Sequence, residues 1–218
     1  MYVIFDMDGV IFDSERAYIE AYKKLAPRFG LGDVEQACIE SIGCTWDKTR
    51  EIFCSYHGEG LDFTKYRAEV HEELLKRDYD IKPGVYEIFA WLKDQNISVA
   101  LASSTHRESV YRMLDNAKLT PYFSEIVCGN MVTHSKPHPE IFLTAAGLLG
   151  AEPFDCYVIE DSYNGIRAAH AAGMHPIMVP DILQPDEEIR GLAEAVLPSL
   201  FEVKEFFEDI IRKEAVEK

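Results

Sequence analysis

The chain has 218 residues, 47% of them hydrophobic and 28% charged, which suits one large globular domain or a core with an insertion. Its formal net charge of −16 argues against nucleic acid and anionic membranes as partners, because such surfaces are bound by patches of lysine and arginine. Five cysteines without a CxxC pair argue against a disulfide framework, and no signal peptide or bilayer-spanning run is apparent, so we expect a cytoplasmic protein.

The first element is a short apolar run from Tyr2 to Phe5, which predicts a buried strand because it is too short for a helix. The run ends in Asp6-Met7-Asp8-Gly9, which places two carboxylates at the strand tip. Burying two acids there is costly unless something positive lies beside them, and we expect a divalent cation and a phosphate as occupants. In open α/β sheets, ligands bind at this edge.

Residues 14 to about 80 lack strand-like runs. Helical spacing of apolar residues runs through 17–29, 33–42, 46–57 and 62–78. We therefore predict an all-helical cap at 14–80, with hinges at 13–14 and 81–84, inserted into a core formed by 1–13 and 81–218. Because the insert follows the acidic strand tip directly, we favour a lid over the alternative that these helices simply cover the sheet.

From about residue 81 onward, apolar runs alternate with helical patterns. The predicted strands lie at 97–102, 126–128, 156–159 and 177–179. Three helices between them have recognisable ends: Thr105 and Glu108 have capping-box spacing, a helix from 139 stops at Gly150, and one from 162 stops at Gly173. A final helix is predicted at 200–213. The alternation predicts an α/β fold with a Rossmann-like, doubly wound parallel sheet.

Polar side chains follow four of the predicted strands at their carboxyl ends. They are Asp6 and Asp8; Ser103, with Ser104 beside it; Lys136; and Glu160 and Asp161. Each type has a use in phosphoryl transfer. Asp6 and Asp161 can hold Mg²⁺, which prefers oxygen ligands, and a carboxylate can also attack phosphorus. A serine hydroxyl and a lysine can bind the phosphate, and Asp8 can act as general acid and base.

Each signal is weak when taken alone. An isolated DxD is often a turn, a single serine or lysine carries little information, and Glu160-Asp161-Ser162 can be a helix N-cap with favourable charges. The four signals together, in this order and each at a strand end, predict one catalytic site.

With these residues, the chain resembles the haloacid dehalogenase superfamily over essentially its whole length. It is most similar to the branch of helical-cap phosphatases and β-phosphoglucomutase-like enzymes. The stretches that carry the resemblance are 5–10, 13–14, 101–105, 136–140 and 159–162.

The resemblance implies a Mg²⁺-dependent phosphatase in which Asp6 is the nucleophile and forms an aspartyl phosphate. It implies that Asp8 is the acid and base and also gives a carbonyl to the metal, and that Ser103 and Lys136 bind phosphate. It implies that the acidic residues near the end of the core bind the metal: Asp161 as a direct ligand, and Glu160 either as a direct ligand or through a bound water molecule. The implied partner is a small phosphorylated metabolite, and we expect a monomer or weak dimer.

The chain departs from β-phosphoglucomutases in its cap. Those enzymes carry a histidine where this chain has Tyr18. They also carry an arginine after a Gly-x-Ser stretch in the cap; the corresponding stretch of this chain is 43–46, and its nearest arginine is Arg50, one helical turn later. These departures favour hydrolysis over transfer between sugar hydroxyls, which stays as the alternative. Thr45, Arg50, His106 and Arg107 are our candidates for substrate contact, although a solvated helix face explains Arg50 equally well.

Other site classes have less support. The sequence has neither HExxH nor a P-loop, and Pro137 and Pro139 prevent His134 and His138 from sharing a helix. A carbon–halogen hydrolase on this fold would not need Asp8 or Mg²⁺. Signalling receiver domains also phosphorylate an aspartate, but they are shorter and lack a lid. A catalytically silent binding protein is the remaining alternative.

Overall fold

The computed structural model describes residues 1–42, 44 and 46–216, and the side chains of these residues except 46 and 214–216. The strands are β1 (Tyr2–Phe5), β2 (Val99–Ser103), β3 (Glu125–Cys128), β4 (Cys156–Glu160), β5 (His175–Met178) and β6 (Ala195–Val196). The helices are α1 (Ser14–Leu25), α2 (Glu35–Glu40), α3 (Trp46–His57), α4 (Phe63–Leu74), α5 (Val85–Asp94), α6 (Arg107–Asn116), α7 (Glu140–Leu149), α8 (Tyr163–Ala171), α9 (Glu187–Leu192) and α10 (Leu200–Val216). No helix within these described residues is long and apolar enough to cross a membrane.

The strands form one parallel sheet in the order β3-β2-β1-β4-β5-β6. The predicted α/β class and doubly wound sheet are therefore confirmed. β1 lies between β2 and β4, with Phe5 opposite Leu101 on one side and Ile159 on the other. The chain runs outward from β1 in both directions, and the crevice where it does so is the usual ligand site of such sheets.

Both faces of the sheet are covered, which explains why its strands are continuous apolar runs. Successive side chains of β1 alternate between two hydrophobic cores. Val3 and Phe5 pack in the core that also contains residues of α5, α6 and α10, whereas Ile4 packs in the core formed with α7 and α8. This burial on two faces fixes β1 and therefore the position of the acids that follow it.

The segment 14–80 contains α1 to α4 and no strand among its described residues. These helices share their own hydrophobic core, in which Tyr22, Phe53 and Tyr66 are fully buried. The hydroxyl of Tyr66 donates to the backbone carbonyl of Tyr22 and ties α4 to α1. The helical cap is thus packed around side chains of its own.

The two chain passages between cap and sheet lie side by side. The Asp13 amide donates to the Asp80 carbonyl at 2.9 Å, and the Lys82 amide donates to the Ile11 carbonyl at 2.9 Å. Lys82 also pairs with Asp181, which follows β5, at 2.7 Å from Nζ to Oδ1. These bonds hold the base of the cap beside the carboxyl edge of the sheet.

Two local predictions needed correction. The capping box of Thr105 and Glu108 is wrong, because α6 begins at Arg107 with His106 in the N-cap position and no side-chain cap. The edge strand β6 has no counterpart among our predicted strands, since two residues make too short a run to form a pattern.

Candidate active site

A buried lysine joins two of the strand ends. Lys136 Nζ lies 2.6 Å from Asp6 Oδ1 and 2.7 Å from Glu160 Oε1, and it also donates to the Ala102 carbonyl at 3.2 Å. All three side chains are buried, Lys136 being 5% exposed. Burial lowers the pKa of Lys136, but Asp6 and Glu160 outweigh this effect and leave that pKa raised. The lysine is therefore a fixed positive charge at the end of β1.

The loop that carries Lys136 is anchored by the first residue of α7. Glu140 accepts hydrogen bonds from the backbone amides of Thr133 at 2.8 Å and His134 at 2.9 Å. These two donors and the His134 ring lower the pKa of Glu140 to about 2. The helix begins at Glu140 with Pro139 as its N-cap, one residue later than the predicted start at 139, and its first carboxylate holds the lysine loop in place.

Three acidic side chains meet beside the lysine. One carboxylate oxygen from each of Asp6, Glu160 and Asp161 lies within 4.8 Å of the other two. Burial raises the pKa of Asp161 well above its ordinary value, and Glu160, Glu15 and Asp6 raise it further. For Asp6, burial raises the pKa, Lys136 lowers it, and Glu160 and Asp8 raise it again. One lysine among three acids leaves an excess of negative charge.

Two glycines make room for these acids. Gly9 has φ +74°, and a Cβ there would lie 2.1 Å from Asp161 Oδ2. A Cβ at Gly165, in the first turn of α8, would lie 1.8 Å from Glu160 Cδ. Neither distance is compatible with a side chain, so the close approach of the acids depends on both glycines.

The acidic cluster suits a hard divalent cation. Its donors are oxygens, it is buried, and it carries more negative than positive charge, which are the preferences of Mg²⁺. The described residues donate no hydrogen bond to the Asp161 carboxylate, so its oxygens are available to an ion. Both oxygens of Glu160 are instead engaged, Oε1 by Lys136 at 2.7 Å and Oε2 by the Ser162 amide and hydroxyl at 2.8 and 2.9 Å.

Asp8 is held by hydroxyl groups. Ser14 Oγ donates to Asp8 Oδ1 at 2.7 Å, and Thr105 Oγ1 donates to Asp8 Oδ2 at 2.7 Å. Ser103 Oγ lies 3.4 Å from the same Oδ2 and accepts the Thr105 amide at 3.0 Å. The Thr105 hydroxyl is thus directed at the second acid of the DxD pair, which explains why it does not cap α6.

These groups open into one cavity of about 510 Å³ between the sheet edge and the cap. The sheet side contributes Asp6, Asp8, Ser104, Thr105, Lys136, Glu160 and Asp161. The cap side contributes Glu15, Tyr18, Ser41, Ile42, Thr49, Arg67 and His71, among others. This volume suits a small metabolite, and its mixed polar and apolar lining is usual for such sites.

The structure separates the four predicted substrate residues. His106 lines the cavity, and Thr45 lies outside the described residues. Arg50 is exposed on α3 and is not among the described residues that line the cavity; its neighbour Thr49 is, because consecutive helical residues point about 100° apart. Arg107 is likewise outside the lining, since its guanidinium lies over the Tyr111 ring at 5.2 Å. Substrate contact by Arg50 and Arg107 therefore stays a prediction, and neither residue is among the described residues that line the cavity.

Several lining residues were not predicted. Glu15, Arg67, His71 and Arg112 carry charge or can titrate, and they come from α1, α4 and α6. Glu15 could have been identified from its position, seven residues after Asp8 and directly after the hinge at 13–14. The α4 residues could not be found in this way, because the faces that the inserted helices turn to the sheet depend on how the cap docks.

His134 and His138 do not share a helix, as predicted, yet their rings lie 4.5 Å apart. With Glu140 they form a second cluster of possible ligands on the surface. The Glu140 carboxylate already accepts two backbone amides and the His134 ring, which explains the cluster without a metal.

Comparison with known proteins identifies relatives over most of the chain. Residues 3–179 match the family described as haloacid dehalogenase-like hydrolase. The phosphorylated carbohydrates phosphatase of Thermotoga maritima is 34% identical over 80% of this chain and 82% of its own. The beta-phosphoglucomutase of Bacillus subtilis is 31% identical over 92% of this chain and 93% of its own. The crystal structure of CbbY from Rhodobacter sphaeroides with phosphate has a TM-score of 0.74 at 25% identity, and covers 91% of this chain and 94% of that one.

Proposed function

The chain belongs to the haloacid dehalogenase-like hydrolase family and is a phosphatase, and on that premise we propose that it hydrolyses a small sugar phosphate through a phosphorylated Asp6. The observation that carries the proposal is the convergence of Asp6, Asp8, Lys136 and Asp161 on one cavity at the end of β1. The name of the Thermotoga relative supports a phosphorylated carbohydrate as the substrate class.

In the first step, a carboxylate oxygen of Asp6 bonds to phosphorus and the bond from phosphorus to the sugar oxygen breaks. Lys136 binds Asp6 Oδ1, and no described residue donates a hydrogen bond to Oδ2, so we assign Oδ2 to the attack. Ser103, Ser104 and Lys136 bind the phosphoryl oxygens. The lysine reduces the repulsion between two anions, the carboxylate and the phosphate.

Asp8 moves the protons in both steps. It protonates the sugar oxygen as that group leaves, and it then takes a proton from the water that attacks phosphorus and frees Asp6. Ser14 and Thr105 fix its two oxygens, each at 2.7 Å, so the carboxyl group is oriented before the substrate arrives. Orientation of this kind is a main source of rate enhancement.

We assign Mg²⁺ to the cluster of Asp6 and Asp161, with the Asp8 carbonyl as a further ligand. Bound there, the ion would neutralise charge on the phosphate and on the nucleophile. Because Lys136 and Ser162 occupy both oxygens of Glu160, we assign Glu160 to orienting the lysine and holding water rather than to direct ligation. The raised pKa of Asp6 supports this assignment, since a cation is needed to keep the nucleophile ionised.

We propose 14–80 as the cap that closes over this cavity and contacts the leaving group. Its separate hydrophobic core and the paired passages at residues 11–13 and 80–82 support a unit that moves as one body. Closure would exclude bulk water from the phosphorylated enzyme.

Transfer of the phosphoryl group between sugar hydroxyls is the second candidate, favoured by the similarity to the Bacillus beta-phosphoglucomutase. Tyr18 occupies the position of a histidine in such mutases and lines the cavity, which counts against it. Incubation with β-glucose 1-phosphate and a trace of the bisphosphate distinguishes the two candidates. Free phosphate is the product of a phosphatase, and glucose 6-phosphate that of a mutase.

The direct test is turnover of p-nitrophenyl phosphate by D6N and D8N. We expect D6N to be inactive, and D8N to lose most activity while it still binds Mg²⁺, because its carbonyl remains. Asp94→Asn is the control, since it makes the same chemical change at an exposed position on α5. Near-wild-type turnover by D6N would contradict the proposal, as would full activity in excess chelator.

A further inference from the structure

An acidic side chain that the proposed reaction does not use lies in the cavity. Glu15 is in the first turn of α1, directly after the passage into the cap, and it lines the cavity with Asp8 and Tyr18. It remains partly exposed. Across the part of the chain that the structure describes, no group donates a hydrogen bond to the Glu15 carboxylate or forms an ion pair with it. The neighbouring Arg16 is directed away from it, toward Asp13 and Asp181.

The fold gives Glu15 little reason to be an acid. A carboxylate in the first turn of a helix gains only a small stabilisation from the helix dipole at exposed sites. Here burial and, after it, the carboxylates of Asp8, Asp6, Asp181 and Glu160 together raise the pKa of Glu15 to about 8. The surroundings thus oppose its charge, and a polar group in such a place is typical of a binding site.

We propose that Glu15 accepts a hydrogen bond from a hydroxyl of the leaving group and so selects polyol and sugar phosphates. This inference rests on the proposed function. A hydroxyl can donate to a carboxyl oxygen of Glu15 whether or not that group is protonated. A leaving group with a carboxylate beside the ester oxygen would instead meet Glu15 together with the acids around it.

The selection acts near the ester oxygen and not over the whole cavity. Arg67 and Arg112 also line the cavity, from α4 and α6, so a more distant anionic group would find cationic surroundings. The expected substrate therefore has a hydroxyl close to the phosphate. Sites that bind a hydroxyl discriminate against analogues without it, because the acceptor is then left unpaired beside the bound ligand.

The test compares Glu15→Ala with the wild type on three substrates: sorbitol 6-phosphate, 2-phosphoglycolate and p-nitrophenyl phosphate. We expect kcat/KM for sorbitol 6-phosphate to fall about tenfold, the upper end of the range for a hydrogen bond between neutral groups. Turnover of p-nitrophenyl phosphate, which has no hydroxyl, should change much less than that of sorbitol 6-phosphate, because Glu15 affects it only through its charge near Asp8 and Asp161. Turnover of 2-phosphoglycolate should stay level or rise. Glu20→Ala, on the exposed face of the same helix, is the control and should match the wild type on all three.

The outcomes separate this inference from the proposed function. If Glu15→Ala lowers kcat/KM equally on all three substrates, or on none, the inference is overturned while hydrolysis through Asp6 stands. If the wild type hydrolyses none of the three, both are overturned. A loss that is much larger on the polyol phosphate than on p-nitrophenyl phosphate supports the inference, and retained p-nitrophenyl phosphate turnover shows that the variant is folded.

Discussion

Replacing Lys136 with methionine removes the ammonium group that lies 2.6 Å from Asp6 and 2.7 Å from Glu160. Methionine has a similar length and would pack against the Phe142 ring, which lies 4.9 Å from Nζ. The change therefore removes charge more than volume. Loss of one partner from a buried ion pair typically costs about 3–5 kcal/mol, because the remaining charge is left without compensation. We expect K136M to lose that much unfolding free energy and essentially all activity.

The double variant K136M/E160Q tests the electrostatic reason. Removing the charge of Glu160 as well leaves one acid fewer beside Asp6, and the glutamine carbonyl can still accept the Ser162 amide. We expect it to regain about 0.5–3 kcal/mol relative to K136M, the usual coupling between contacting residues. Activity should not return, because the phosphate still lacks its lysine.

The assay is urea unfolding at neutral pH with chelator present, so that bound metal does not mask the charge effect. Lys65→Met, at an exposed position on α4, is the matched control and should stay within about 0.5 kcal/mol of the wild type. A loss below about 1 kcal/mol in K136M, or a double variant less stable than K136M, would refute the electrostatic reasoning.

Three further predictions concern residues that hold the site together. Gly165→Ala places a methyl group 1.8 Å from Glu160 Cδ, so we expect a large loss of activity with α8 retained; wild-type kcat/KM would contradict this packing. Thr105→Val removes the 2.7 Å hydrogen bond to Asp8, and we expect kcat to fall about tenfold with KM little changed, whereas a change in KM alone would argue for a substrate contact. The pKa of Glu140 lies at about 2, below the ordinary 4.5, so its carboxylate stabilises the fold at neutral pH and this contribution is lost as pH falls from about 4.5 toward 2. Glu140→Gln should therefore be less stable than the wild type at pH 7, with a smaller difference at pH 4; a constant difference in urea midpoints would refute this.

The parts of the site that follow from strand ends could be predicted from the sequence. Asp6, Ser103 and Glu160 each stand at the end of an apolar run, and parallel strands bring such ends to one edge. Their meeting therefore needs only the sheet, whose alternating pattern is clear in the sequence.

Contacts set by the docking of separate elements could not be predicted. The faces that α3 and α4 present to the sheet depend on how the cap packs, which the sequence does not show. For this reason the sequence predicted Arg50 as a substrate contact and did not predict that Arg67 lines the cavity. Thr105 illustrates a second reason. Its spacing to Glu108 fits a capping box, but its hydroxyl instead donates to Asp8, a partly buried acid 97 residues earlier in the chain. Local pattern gives no information about such a partner.

Chemical trapping of the phosphorylated enzyme tests the central claim most directly. Enzyme mixed with substrate and Mg²⁺ is quenched in acid and reduced with borohydride, which converts an aspartyl phosphate to homoserine, and peptide mass spectrometry then locates the change. The account predicts homoserine at position 6, at higher occupancy in D8N if that variant still forms the acyl phosphate. Product formation with Asp6 unmodified in every quenched sample would contradict it.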